Sequence, residues 1–129
     1  MEMRIRFPGG KRVAAEYNGF TMATDQPAGA GGEGSAPAPF DLFLASLGTC
    51  AGIYVLEFLR RRDLDTRGLE LVQRHEWDPQ TGRLEKVDLE LRLPAGFPEK
   101  YRQAVVQAAG LCAVKRHLDA PPEFHVHIA

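Results

Sequence analysis

Cys50 and Cys112 are the residues of this 129-residue chain whose chemistry could exceed packing. Two cysteines are too few for a disulfide scaffold, and a reducing cytosol would not maintain a purely structural bridge. Each could serve simply as a small buried hydrophobe. Two thiols within bonding distance would instead make a redox pair, in which a thiolate attacks a peroxide oxygen, becomes a sulfenic acid, and is captured by the second thiol as a disulfide. Sixty-two positions separate residues 50 and 112, so only the fold can bring them together. A thiolate in an apolar site also needs a cation, because desolvation alone raises a thiol pKa. Arg4, Arg6 and Arg12, near the amino terminus, are candidates for that cation.

Other groupings carry less chemistry. His125-x-His127 would put both rings on one side of a strand, but two Cys and two His at these spacings match no zinc motif, and neither a metal nor another cofactor is expected. His117 lies five residues after Cys112, off its helical face, which suits a surface or interface residue; His75 and Trp77 read as packing residues. The segment 25–38, DQPAGAGGEGSAPA, has no Lys-Ser or Lys-Thr pair after its glycines and no Gly-x-Gly-x-x-Gly helix start. It reads as a mobile connector. A formal net charge of −1 leaves no positive field to hold nucleic acid.

The elements that must position the cysteines follow from periodicity and turn chemistry. Short apolar runs at 3–7, 11–17 and 20–24, separated by Pro8-Gly9-Gly10 and Asn18-Gly19, predict an antiparallel meander. Pro39 suits a first helical turn and Asp41 its positive end, so a helix is expected from about 39 to about 60 with Cys50 at its middle. With no charge between 42 and 56, this helix is apolar on every side yet too short to cross a bilayer, so it must be covered. Runs at 69–77 and 83–93 flank the turn Asp78-Pro79-Gln80-Thr81-Gly82, and Val87, Leu89, Leu91 and Leu93 alternate with polar residues, the pattern of a strand with one wet face. Pro98 opens a second helix in which Tyr101, Ala104, Val105, Ala108 and Cys112 share an inward face, broken near Gly110, with a short helix over 112–118 and a last strand over 124–128. The order is α+β, in one domain spanning 1–129. The amino terminus lacks an apolar stretch of secretory length, so a soluble, cytoplasmic protein is expected.

PFDLFLASLGTC at 39–50 and LCAVKRHL at 111–118 together resemble the OsmC/Ohr family of peroxide-reducing proteins. The loop Gly29-Ala30-Gly31-Gly32-Glu33-Gly34-Ser35 looks like the glycine-rich approach to the central helix in the Ohr branch, and the element order is similar over essentially the whole chain. The resemblance implies an intertwined homodimer that buries the central helix and places two active sites at the subunit interface. It implies that Cys50 attacks the peroxide and Cys112 forms the disulfide, with an arginine from the early hairpin holding the thiolate and a carboxylate orienting that arginine. By position after Gly9-Gly10, Arg12 matches the arginine, with Lys11, Arg4 and Arg6 as competitors. The Ohr branch has an acid directly after the proline, where Phe40 stands here; Asp41, one residue later, gives a Pro-x-acid-Leu form that resembles the OsmC-like branch. Nine residues of helix rise about 13 Å, so Asp41 would act through an arginine or from the other chain. Otherwise it is simply a favourable charge in a first helical turn.

The function implied is a thiol-dependent peroxidase that reduces organic hydroperoxides, and hydrogen peroxide, in oxidative-stress defence. It would use an external dithiol reductant, such as one of lipoyl type, and have no nucleic-acid or membrane partner. The alternative is a non-catalytic dimer of the same fold that binds a small apolar ligand at its interface. Leu47, Ile53 and Tyr54 lie three or four residues from Cys50, so those on its face would line any pocket opening onto the sulfur and favour alkyl-bearing peroxides.

Overall fold

The computed structural model describes residues 1–129 as three strands, a long helix, two further strands and two short helices, the α+β order expected. The chain forms two compact units, Met1–Ala45 and Ser46–Ala129. In the first, β1 (Arg4–Gly9), β2 (Arg12–Tyr17) and β3 (Phe20–Thr24) pair antiparallel in that order. Asn18 and Gly19 both take positive φ, 50° and 81°, the backbone that a tight two-residue hairpin turn requires. Ala14 and Thr24 are buried, and the Thr24 hydroxyl donates to the Val13 carbonyl at 2.5 Å.

Segment 25–38, expected to be mobile, is instead tied to the end of β3. The Asp25 side chain, only 1% exposed, accepts hydrogen bonds from the Ser35 hydroxyl (2.6 Å), the Ser35 N–H (3.0 Å) and the Gln26 N–H (2.7 Å). The backbone closes the same loop, with Gly34 N–H donating to Gln26 O and Asp25 N–H to Pro37 O. A Cβ on Gly32 would overlap the Gln26 carbonyl, so the loop's compactness depends on glycine there. The missed signal is a single acid whose carboxylate replaces the periodic contacts that the loop lacks.

The Ser35 hydroxyl, with the N–H groups of Ser35, Gln26 and Glu33, lowers the Asp25 pKa from 3.8 to about 2 against the opposing effect of burial. A depressed folded-state pKa contributes stability that is fully present above 3.8 and is lost as the pH falls through about 2. The melting temperature of the wild type is therefore expected to fall with acid across this window more steeply than that of Asp25→Asn. Parallel melting curves, followed by circular dichroism, would contradict this.

Helix α1 (Pro39–Arg60) begins in the first unit, where the Ala38 N–H donates to Asp41 Oδ2 at 2.9 Å, and continues into the second. At 22 residues it is long and apolar enough to cross a membrane by length and composition, which corrects the expectation drawn from its charge-free centre. The same composition serves a core: Leu47, Ala51, Val55, Phe58 and Leu59 recur at helical spacing and are buried. Arg62, just beyond, lies 3.6 Å over the Phe58 ring and donates to the Phe58 carbonyl, closing the helix end.

In the second unit β4 (Glu70–Trp77) and β5 (Leu84–Arg92) pair antiparallel, with Leu71 opposite Leu91 and Gln73 opposite Leu89. Leu71, Leu89 and Leu91 pack on the core, while the other face carries the exposed pairs Arg74–Glu90, Arg92–Glu70 and Lys86–Glu76, the alternation expected of a half-wet sheet. Gly48 on α1 leaves room for this sheet: Gln73 Oε1 lies 2.6 Å from where a Cβ would stand. A one-turn 3-10 segment, Glu99–Tyr101, leads into α2 (Arg102–Ala109), which buries Val105 and Ala109. After a short break comes α3 (Ala113–Asp119).

The expected strand over 124–128 is absent: residues from 121 onward belong to no helix or strand. Phe124, Val126 and Ile128 are 85%, 98% and 98% exposed. Their alternation suits a strand, but a strand exists only against an edge that accepts its hydrogen bonds, and the chain supplies none to this segment.

Candidate active site

The two thiols meet at the start of α3. Gly110 ends α2, its N–H shared between the Val106 and Gln107 carbonyls, and the chain then turns so that Cys112 is extended, with φ −60° and ψ 144°. The break expected near Gly110 and the short helix after it are both present, and Cys112, grouped by spacing with the inward face of α2, is the cap of α3. Its sulfur accepts the Lys115 N–H at 3.3 Å, the role an oxygen of Ser or Asp usually fills. It is buried, at 2% exposure, in the cluster that holds Ala51, Val55 and Val105.

Cys50, half-buried at the middle of α1, faces the same helix start, and neither cysteine is in a disulfide. The Val114 N–H hydrogen-bonded to its sulfur holds the Cys50 thiol below its usual value of 9.0; burial opposes this, and the Cys112 thiol, the Ala113 N–H and the positive charge of Arg116 add to the lowering. Apart from burial, each of these influences favours the thiolate form of Cys50, which packs against the cluster that holds Cys112. The fold thus packs Cys50 against the cluster that holds Cys112, the two cysteines that the sequence singled out.

Arg12 and Asp41 belong to the first unit and have local partners there. Arg12 Nε donates to the Gly9 carbonyl at 3.2 Å in the β1–β2 hairpin, and Asp41 caps the start of α1. His117 is exposed, its Nδ1 2.7 Å from the Ala113 carbonyl. His75 contacts Gln73 Nε2 at 2.7 Å, and Trp77, read as a packing residue, is 45% exposed. Arg116 was not singled out from the sequence. It lies four residues after Cys112 in LCAVKRHL, and its Nη2 reaches the Tyr54 hydroxyl of α1 at 3.5 Å.

Two cavities adjoin the site. One, of about 320 Å³, is lined by Leu47, Ala51, Leu89, Val106 and Cys112, with Lys115 its charged residue. The other, of about 460 Å³, is lined by Ile53, Tyr54, Glu57, Phe58 and Arg61 among others. Of the three apolar neighbours of Cys50 on α1, Leu47 lines the cavity that Cys112 also lines, while Ile53 and Tyr54 line the other. Cys112 lines the apolar cavity, and Cys50 lines neither.

Two free thiols packed into one cluster, one on a long apolar helix and one capping a short one, define a dithiol class of site. The sequence model described as OsmC-like protein matches residues 32–127, and the chain belongs to the OsmC-like family. Its fold is similar to that of a candidate osmotic stress-induced and detoxification response protein from Psychrobacter arcticus 273-4, at a TM-score of 0.75 and 21% identity over 88% of this chain and 85% of that one. An OsmC-like protein from Mycoplasma pneumoniae superposes at a TM-score of 0.73 and 11% identity, covering 93% of this chain and 87% of the other. An organic hydroperoxide resistance protein OsmC from Legionella pneumophila does so at 0.62 and 19%, covering 93% and 90%. No curated protein matches the sequence.

Proposed function

We propose that the chain is a thiol-dependent peroxidase that reduces organic hydroperoxides, and less efficiently hydrogen peroxide, through Cys50 and Cys112. The observation that carries this reading is the packing of Cys50, on α1, against the buried cluster that holds Cys112, and the lowered pKa of the Cys50 thiol agrees with it. The Cys50 thiolate attacks the terminal peroxide oxygen, the O–O bond breaks, an alcohol leaves after taking a proton, and Cys50 becomes a sulfenic acid. The Cys112 thiol then displaces hydroxide, releasing water and forming the disulfide. An external dithiol, of lipoyl type or similar, returns both thiols and is itself oxidised to its disulfide. Membership of the OsmC-like family supports the reading, as does the hydroperoxide resistance named for the Legionella protein.

Arg12, from the β1–β2 hairpin, and Asp41, at the start of α1, are proposed to complete the site, Arg12 as a cation for the thiolate and Asp41 as its orienting carboxylate. The chain works as one domain, since the family match from 32 to 127 runs through both units. It works as a homodimer: Phe40 and Ile53 on α1, at 46% and 48% exposure, and the unpaired run from Phe124 to Ile128 leave apolar surface that a second copy would cover.

The apolar cavity beside Cys112 supplies selectivity. Alkyl surface gains about 25 cal/mol per Å² on burial, so 100 Å² gives about 2.5 kcal/mol, close to two powers of ten in rate if fully expressed in the transition state. Thiol titration before and after one equivalent of cumene hydroperoxide is expected to show both thiols lost, with an intramolecular Cys50–Cys112 disulfide in the mass spectrum. With one reductant, kcat/KM is expected to be higher for cumene and tert-butyl hydroperoxides than for hydrogen peroxide. Two free thiols after treatment would overturn the mechanism; equal kcat/KM values would overturn the selectivity.

A further inference from the structure

We infer that Arg116, anchored to the Tyr54 hydroxyl, is the cation by which the second unit itself supports the Cys50 thiolate. The inference deepens the peroxidase reading of the same site, but it stands on the meeting of two helices. On α3, Ala113 and Arg116 are three residues apart and share a face; on α1, Cys50 and Tyr54 are four apart and share a face. One contact ties these faces together, with Arg116 Nη2 3.5 Å from the Tyr54 hydroxyl, and Cys50 and Val114 both pack against the cluster that holds Cys112. Arg116 therefore stands over the same stretch of α1 as the nucleophile, one helical turn along.

The neighbouring charges are otherwise engaged. Lys115 lines the cavity beside Cys112 and lies 4.0 Å from Asp119, while Glu57, the next acid along α1, pairs with Arg61 at 3.9 Å. The Cys112 thiol and the Ala113 and Val114 N–H groups are neutral donors to the sulfur. Arg116 thus supplies full positive charge where the other groups supply dipoles, and its effect on the thiol has the sign of a cation next to an anion. Arg116 is exposed, so salt screens it. It is a positioning residue: it holds the thiolate ready and is not placed against the peroxide.

The test is the rate of alkylation of Cys50 by iodoacetamide as a function of pH, read site by site by peptide mass spectrometry, in low and high salt. It needs no peroxide, so a protein that proves unable to consume hydroperoxide can still report on Arg116, and the two readings fail separately. Arg116→Ala is expected to raise the alkylation midpoint of Cys50, Arg116→Lys to stay near the wild type, and Tyr54→Phe to raise it by less. The wild-type midpoint is expected to rise with salt and that of Arg116→Ala to rise less. An unchanged midpoint in Arg116→Ala overturns the inference, as does a Lys variant that shifts as far as the Ala variant. If Arg116→Ala does not fold, a Lys variant at the wild-type midpoint together with a salt-dependent wild type supports it; a salt-independent wild type overturns it.

Discussion

Cys50→Ser is expected to consume no hydroperoxide above the uncatalysed rate, while Cys112→Ser reacts once and stops. A serine hydroxyl does not ionise near neutral pH, so the donors that lower the Cys50 pKa, Val114 N–H first, have no anion to stabilise and the attack on oxygen is lost. In Cys112→Ser the nucleophile remains, but the sulfenic acid has no second thiol to condense with, and it persists or climbs to the sulfinic acid. Peroxide loss under single-turnover conditions separates the two: none for Cys50→Ser, one equivalent per chain for Cys112→Ser, and continuous turnover for the wild type with a dithiol present. Serine at 112 can still cap α3 by accepting the Lys115 N–H, so this variant should fold. Continued turnover by Cys112→Ser would mean that the external reductant, not Cys112, resolves the sulfenic acid.

Leu59→Ala is expected to destabilise the chain by about 2–5 kcal/mol, because it deletes a branched side chain from a place the surroundings cannot refill. Leu59 is 0% exposed and belongs to the cluster that joins Val55, Val105 and Cys112. Against the usual total of about 5–15 kcal/mol, this is a large part of the margin. Urea unfolding should show the midpoint falling with the slope unchanged. The loss reaches function as well, since the same cluster seats Cys112, and the meeting of α1 with α3 depends on it. A midpoint within error of the wild type would mean that this core is not what holds the second unit together.

Both effects centre on residues visible in the chain, yet not all of their setting was. Local chemistry determined the meander, the long helix carrying Cys50 and the half-wet hairpin, because proline and glycine turns, alternation and an unbroken apolar run act over a few residues and need no distant partner. The candidacy of Cys50 and Cys112, and the motifs around them that resemble OsmC/Ohr proteins, were also legible, and the match over 32–127 places the chain in the OsmC-like family. Tertiary structure decided what depends on contacts distant in sequence. The break near Gly110 was legible, but not that Cys112 caps the helix after it while seated in the cluster against which Cys50 packs. Asp25 reaches ten residues ahead to Ser35 and converts an apparent connector into a closed loop. Arg116 meets Tyr54 across 62 positions, a contact no spacing rule encodes. The run from Phe124 to Ile128 has the alternation of a strand and remains unpaired, because pattern records which side chains could face a core, while a strand forms only where an edge accepts its backbone.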